Sequence, residues 1–130
     1  MTREELVSYA EQAMTRAYVP YSHFQVGAAL LAEDGQVFLG CNVENASYGA
    51  TCCAERTAVF KAVSEGVRKF QAIAIVASSG DYAAPCGICR QVLFEFMPEG
   101  KVYLSNQAHE ILEFTVKELL PMGFGGSDIK

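Results

Sequence analysis

The chain has 130 residues, 51% of them hydrophobic and 19% charged, which fits one globular domain over 1–130 and argues against disorder. Its 10 lysines and arginines against 15 aspartates and glutamates give a net charge of -5, whereas general nucleic-acid binders and proteins held on anionic lipid carry the opposite sign. No apolar run approaches the ~20 residues of a membrane span and no signal-peptide core follows the N-terminus, so we expect a cytoplasmic protein with neither nucleic acid nor membrane as partner.

The first part of the sequence predicts a helix and a hairpin. Thr2 and Glu5 form a capping box, and apolar residues at helical spacing extend a helix over 3–17. Two apolar runs, 26–32 and 37–41, are separated by an Asp-Gly pair. Because Asp-Gly favours tight turns between antiparallel strands, these runs predict a β-hairpin.

The rest of the sequence alternates helices with strands. The predicted elements are a loop at 42–52, a helix at 53–65, a strand at 70–77, a loop at 78–85, a helix at 86–97, a strand at 101–105, a short strand at 110–114, a short helix capped by Thr115 and Glu118, and a glycine-rich tail at 122–130. A hairpin followed by two crossover units predicts an α/β fold, a three-layer α-β-α arrangement with a mixed, mostly parallel five-stranded sheet. The two middle helices are apolar on more than one side, which indicates burial on two faces, within the domain or against another subunit.

Three cysteines stand at the starts of these two middle helices. Cys86 and Cys89 follow Pro85 and share one helical turn, a spacing that alone could be half of a zinc site, a redox pair or nothing. Cys53 begins the other helix. A right-handed crossover places both helix N-termini at the same sheet edge and so brings three thiolates together. In a reducing compartment three such ligands with an open position indicate a catalytic zinc site.

Glu55 lies on the same first turn as Cys53. From there a carboxylate can reach the open coordination position without being a ligand, take a proton from a water molecule and pass it on. Zinc-dependent deaminases combine a glutamate two residues after one ligand with a Pro-Cys-x-x-Cys pair, and this sequence has that pattern. A structural zinc site, buried free thiols, and a closed site with Cys52 as fourth ligand remain as alternatives.

The sequence resembles small, homotetrameric, zinc-dependent cytidine deaminases of the three-cysteine type over about 4–124. The segments that carry this resemblance are 20–22, Phe24, 26–28, 40–48, 53–58, 85–91 and 118–121. The resemblance implies one zinc ion per chain on Cys53, Cys86 and Cys89, with Glu55 as the proton shuttle. It also implies hydrolytic deamination of cytidine and 2′-deoxycytidine to uridine and 2′-deoxyuridine with release of ammonia, a reaction of pyrimidine salvage.

The same resemblance implies a nucleoside site that subunits share. Asn42 and Glu44 would hydrogen-bond the ribose hydroxyls, Phe24 would pack on the pyrimidine ring, and Phe124 would reach the site of a neighbouring subunit. The other substrate-binding residues that it implies are Val43, Asn45, Ala46, Ser47, Tyr48 and Ala54. Three thiolates and one zinc ion sum to a charge of about −1, and Arg56 resembles the family's arginine that offsets this charge by hydrogen-bonding the thiolates.

Plainer interpretations of these residues also exist. Asn42 and Asn45 suit turns, Cys41 suits packing at a strand end, and Arg90 is expected to pack near the cysteines. The competing functions are deamination of a related small molecule such as an aminoacyl-nucleoside antibiotic, deamination of a polynucleotide, and a zinc-stabilised interaction module. Asn42 and Glu44 favour a plain ribose, and the chain lacks the basic cluster that would bind a strand of phosphates. An absorbance assay distinguishes the interaction module from an enzyme, because only an enzyme that deaminates cytidine would reduce the absorbance of a cytidine solution.

Overall fold

The helices and strands occur in the order that the sequence predicts. The computed structural model describes residues 1–129, so that Lys130, the last residue of the predicted tail and domain, lies outside the described residues. The elements are α1 (Arg3–Met14), β1 (Val26–Ala32), β2 (Val37–Cys41), α2 (Ala54–Ser64), β3 (Phe70–Ala77), α3 (Gly87–Phe96), β4 (Lys101–Ser105), β5 (Ile111–Thr115) and α4 (Val116–Leu119), with short 3-10 turns at Tyr48–Ala50 and Gly126–Asp128.

The five strands form one mixed sheet in the order β2-β1-β3-β4-β5. The expectation of a mostly parallel sheet is wrong, because only β3 and β4 pair in parallel and the other three pairs are antiparallel. The crossover through α2 starts from β2 but places β3 on the far side of β1. Strands β2 and β3 therefore run in the same direction without being neighbours, and β5 turns back beside β4 after a short loop.

Helix α1 covers one face of the sheet by itself. Its capping box, in which Thr2 and Glu5 exchange hydrogen bonds, is present as predicted. Leu6 and Val7 pack with the small residues that β1 and β3 present on this face. Gly27 allows the close approach, since a Cβ there would lie 2.1 Å from the carbonyl oxygen of Ala10.

Helices α2, α3 and α4 cover the opposite face, which completes the three layers. Val59 of α2 and Leu93 of α3 are buried in the larger core cluster together with Ile73 of the central strand. Gly40 in β2 admits α2 closely, because a Cβ at this position would lie 2.3 Å from the carbonyl oxygen of Ala54. This contact fixes the first turn of α2, where the candidate site begins.

Helix α1 ends at Met14, three residues before the predicted end at 17. The chain leaves the helix because Tyr18 is drawn into an isolated bridge with Val43, and its amide donates to the carbonyl of Asn42 at 3.0 Å. Val43 also bridges to Cys52, which closes the loop 42–52 on itself. Across the described residues, none of the helices has both the length and the apolar character needed to cross a membrane.

Candidate active site

Three cysteine thiols meet where the N-termini of α2 and α3 lie side by side. Cys53 and Cys86 are the N-cap residues of the two helices, and Cys89 lies one turn into α3. The Sγ atoms of Cys53 and Cys86 are 3.8 Å apart, those of Cys86 and Cys89 are 3.5 Å apart, and all three lie within 4.8 Å of one another. The crossover thus brings together the three residues that the sequence singled out.

The spacing of these thiols fits a zinc ion. Tetrahedral zinc with Zn–S bonds of ~2.3 Å separates its sulfur ligands by ~3.8 Å, close to the observed distances. The cluster therefore fits one zinc ion per chain, held by Cys53, Cys86 and Cys89. Among the described residues Cys52 does not join the cluster. Its Sγ instead accepts a hydrogen bond from the Thr57 hydroxyl at 3.6 Å, which removes the geometric basis for a closed four-cysteine site.

The surroundings of Cys53 and Cys89 shift the pKa values of their two thiols in opposite directions. Interaction with the Cys89 thiol, helped by the hydrogen bond from Arg56, lowers the pKa of Cys53 to about 5. The same interaction and burial raise the pKa of Cys89. The surroundings of Cys53 thus favour the thiolate, which is the form in which cysteine binds metals.

Glu55 is the buried acid of the site. Its side chain lies in the first turn of α2, and the residue is only 5% exposed. Burial, together with the negative charge on Cys53, raises the pKa of Glu55 to about 7. A carboxyl group whose pKa lies near neutrality can both accept and return a proton, which is the requirement for general acid–base catalysis.

Arg56 faces the thiols from the same turn of α2. Its Nη2 donates to the Sγ of Cys53 at 3.4 Å and to the carbonyl oxygen of Thr51 at 3.5 Å. The hydrogen bond to Cys53 also raises the pKa of the Arg56 guanidinium. The structure thus places the predicted cation where it can offset the negative charge of the cysteines.

A cavity of about 220 Å³ opens beside the thiols and Glu55. Phe24, Asn42 and Ala54, all implicated by the sequence, line it. Sequence patterns assign no site role to five further lining residues, which come from separate segments of the chain: Val26, Thr51, Ile75, Ala83 and Ala84. The cavity combines mostly apolar walls with a carboxyl group and thiols at one end, which suits a flat heterocycle.

A second cavity, of about 320 Å³, shares Thr51 with the first. Glu44, Asn45 and Tyr48 line it, as do Tyr21 and Ser22. The Glu44 carboxylate accepts hydrogen bonds from the backbone amides of Tyr21 and Ser22 at 3.0 and 3.1 Å, and from the Ser22 hydroxyl. Sequence reasoning included 20–22 in the resemblance but gave these residues no role.

The Asn42 side chain is used by the neighbouring backbone. Its Oδ1 accepts from the amide of Val26 at 2.9 Å, and its Nδ2 donates to the carbonyl oxygen of Phe24 at 2.8 Å. These bonds hold the start of β1 beside the loop 42–52. Asn42 therefore fixes the backbone of Phe24 and of Val26, on both sides of Gln25, and so helps to position the Phe24 ring in the first cavity.

Four predicted substrate residues lie away from these two cavities. Val43 takes part in the bridges to Tyr18 and Cys52, and Ala46 and Ser47 are exposed. Phe124 is 56% exposed, and neither described cavity includes it in its lining.

The tail that carries Phe124 is anchored on α3. Gln91 Nε2 donates to the carbonyl oxygen of Phe124 at 2.8 Å. A Cβ at Gly123 would lie 2.7 Å from the Phe94 ring, so this glycine lets the tail rest on that ring.

Arg90, expected to pack near the cysteines, donates to the carbonyl oxygens of Pro85 and Leu119 at 2.7 and 2.9 Å. It thereby ties the loop before Cys86 to the end of α4.

The fold and the three-cysteine site together define a zinc-dependent deaminase, and comparison with known proteins names the family. The family described as "Cytidine and deoxycytidylate deaminase zinc-binding region" matches residues 1–105. The cytidine deaminase of Halalkalibacterium halodurans is 57% identical over 99% of this chain and 98% of its own length, and that of Sporosarcina psychrophila is 53% identical over 99% and 96%.

Solved structures show the same relationship. The cytidine deaminase of Burkholderia pseudomallei has a TM-score of 0.92 and 49% identity, covering 95% of this chain and 100% of its own. That of Mycobacterium tuberculosis has a TM-score of 0.83 and 42% identity, covering 96% and 98%. The chain therefore belongs to the cytidine deaminase family, as the resemblance in its sequence implied.

Proposed function

We propose that the chain catalyses the hydrolytic deamination of cytidine and 2′-deoxycytidine to uridine and 2′-deoxyuridine, with release of ammonia. The observation that carries this proposal is the buried Glu55 carboxyl group, which lies beside the three-cysteine cluster and lines the cavity of about 220 Å³. When bound by Cys53, Cys86 and Cys89, a zinc ion would supply the Lewis-acid chemistry that makes water nucleophilic at neutral pH.

Glu55 moves the protons of this reaction. Its carboxylate takes a proton from the attacking water and delivers it to N3 of the cytosine ring as water adds at C4. The carboxylate then takes the remaining proton from the new C4 hydroxyl and passes it to the amino group, so that the C4–N bond breaks, ammonia leaves and the C4 carbonyl of the uracil ring forms. Burial raises the pKa of the Glu55 carboxyl group, so that it accepts a proton more readily than an exposed glutamate would.

A nucleoside fits the cavities better than a nucleotide. Among the described residues no lysine or arginine lines either cavity, whereas Glu44 supplies a negative charge to the larger one. A phosphate group would find no cation there and would be repelled by this carboxylate. Sugar hydroxyls, in contrast, are suitable donors to it. The same argument disfavours a polynucleotide, which requires cationic contacts along its backbone.

The assembly that we propose is a homotetramer in which subunits complete one another's sites. Its support is the pattern of exposure: Tyr48 is 76% exposed and Ile88 of α3 is 62% exposed, in addition to Phe124. We also propose a cytoplasmic location and a role in pyrimidine salvage, because the substrate is a free nucleoside and the cysteines need to stay reduced.

The direct test measures the loss of cytidine absorbance after mixing with the zinc-loaded enzyme, and identifies uridine and ammonia as products. Glu55→Gln is expected to keep one zinc ion per chain and to bind a cytidine analogue, while turnover falls by about four orders of magnitude or more. Normal turnover in this variant would contradict the role of Glu55. A wild-type enzyme that binds zinc but leaves cytidine unchanged would contradict the proposed function.

A further inference from the structure

One short turn holds the carboxylate that faces the larger cavity. Three donors of the turn at 20–23 converge on Glu44: the backbone amides of Tyr21 and Ser22 both reach Oε1, and the hydroxyl of Ser22 reaches Oε2. The turn is closed by the amide of His23, which donates to the carbonyl oxygen of Val19 at 3.0 Å. His23 has a φ of 58°, in the left-handed region, and this reversal brings the next amide back toward the Ser22 side chain.

The hydrogen-bonding direction of the Ser22 hydroxyl is fixed on both sides. The amide of Phe24 can only donate, and it reaches the Ser22 Oγ at 3.0 Å. The Glu44 carboxylate can only accept, since the hydrogen bond from Ser22 lowers the pKa of Glu44 and keeps it ionised. The single hydroxyl proton therefore points at Oε2, and the hydroxyl cannot rotate to serve the substrate.

The Glu44 carboxylate has more hydrogen-bond acceptor positions than the three donors of the turn use. Each carboxylate oxygen offers about two lone-pair positions. The two amides use those of Glu44 Oε1, whereas Ser22 uses only one of those of Oε2. One acceptor position on Oε2 therefore has no donor among the described residues, and both Glu44 and Ser22 line the larger cavity.

We infer that Ser22 is a positioning residue for sugar recognition: its hydroxyl orients Glu44 so that one acceptor position of Oε2 meets a hydroxyl of the nucleoside sugar. This inference rests on the proposed function and adds a residue and a direction to it. Without the hydroxyl, the carboxylate would keep its two bonds at Oε1 but would be free to swing Oε2 away. The amide of Phe24 would lose its hydrogen bond to the Ser22 Oγ as well, and dideoxycytidine reports that loss separately because it needs Phe24 but not the sugar contact.

The test compares substrates with and without ring hydroxyls on the zinc-loaded enzyme. For Ser22→Ala, kcat/KM for cytidine is expected to fall about tenfold to a hundredfold, as for the loss of one hydrogen bond to a charged group. For 2′,3′-dideoxycytidine, which has no ring hydroxyl to meet Oε2, kcat/KM is expected to change by less than about twofold. Ser22→Thr keeps the hydroxyl and should restore activity toward cytidine to within about threefold of wild type.

Two further variants make the result specific. Ser22→Ala in a Glu44→Ala background is expected to cost little more than Glu44→Ala alone, because residues that act through one another are not additive. Ser64→Ala removes a hydroxyl that donates to the Lys61 carbonyl oxygen near the far end of α2, and it should leave both substrates unaffected.

Three results would overturn the inference. They are an equal loss on cytidine and dideoxycytidine in Ser22→Ala, a failure of Ser22→Thr to recover activity, and full additivity with Glu44→Ala. A wild-type enzyme without activity on cytidine would instead contradict the proposed function, so the two failures can be told apart.

Discussion

The charge balance around the thiols depends on one guanidinium. Arg56 donates to Cys53, while the Nε of Arg56 is buried without a hydrogen-bond partner among the described residues. Leaving a buried N–H unpaired costs free energy. The position is nevertheless favourable, because a cation beside a thiolate stabilises the deprotonated form that a metal requires.

Replacing this cation should change the acidity of Cys53. In zinc-free Arg56→Gln, we expect the pKa of Cys53 to rise from about 5 toward its ordinary value, because the anion loses a hydrogen bond and a positive charge. The rate of alkylation at Cys53, followed by mass spectrometry as a function of pH, measures this change. Arg68→Gln, a substitution of an exposed arginine, is the matched control. Identical pH profiles for wild type and Arg56→Gln would show that Arg56 does not act on the thiol.

The cysteines themselves should separate into ligands and non-ligands. Cys86→Ala is expected to lose zinc and activity and to be destabilised by about 2 kcal/mol or more, because two thiolates hold zinc poorly and the site joins two helices. Cys52→Ala should keep one zinc ion per chain, since its thiol contacts Thr57 and lies outside the cluster. Metal analysis and thermal unfolding of both variants measure the difference. Zinc-replete Cys86→Ala would mean that another residue is the ligand.

At the scale of elements, the two helices that carry the site begin without the caps that the other two possess. Thr2 and Thr115 form capping boxes at α1 and α4. At α2 and α3 the N-cap residues are Cys53 and Cys86, and neither side chain makes a capping hydrogen bond. A missing cap costs ~1 kcal/mol. The thiols are directed at one another instead, so that zinc binding has to stabilise these two helix starts.

Removal of zinc should therefore loosen α2 and α3 at their first turns. The first intrahelical hydrogen bonds there run from the amide of Thr57 to the carbonyl of Cys53 at 3.0 Å and from that of Arg90 to Cys86 at 2.9 Å. We expect both amides to exchange with solvent roughly tenfold faster in zinc-free protein, the size of a lost cap. The amide of Leu6, bonded to the carbonyl of Thr2 in the capped helix α1, is the internal control. Equal acceleration at all three amides would indicate global destabilisation instead.

Local patterns predicted most of these elements, and long-range contacts account for what they missed. The Asp-Gly turn, the capping residues and the crossover around Cys53 and Cys86 are encoded by neighbours in the sequence. Whether β3 pairs in parallel with β2 or antiparallel with β1 depends on which edge of the hairpin the crossover passes, and no local pattern fixes that edge. The contact between Ser22 and Glu44 joins residues of two separate loops, and a serine in a turn gives no sign of its partner.

At the scale of the whole molecule, one chain leaves large apolar groups exposed around the site. Phe60 of α2 is 48% exposed, Ile88 of α3 is 62% exposed, and Phe124 is 56% exposed. These residues lie on or next to the helices that hold the cysteines. Burial of such a surface against other copies of the chain is consistent with the apolar character of both helices, and it would bring groups from a neighbour close to the cavity.

Complementation between an inactive variant, Glu55→Ala, and a weakly active variant, Phe124→Ala, tests whether the site is shared. Glu55→Ala removes the carboxyl group that we propose as the proton shuttle, and Phe124→Ala removes the aromatic ring of the tail. If Phe124 acts on a neighbouring subunit, mixing the two variants under conditions of subunit exchange creates some sites with an intact Glu55 and an intact Phe124 from the neighbour. Activity should then rise above that of both parents, to roughly a tenth or more of wild type. If Phe124 acts within its own chain, every site keeps one defect and mixing restores nothing. A wild-type enzyme that is monomeric by light scattering and fully active would equally contradict the shared site.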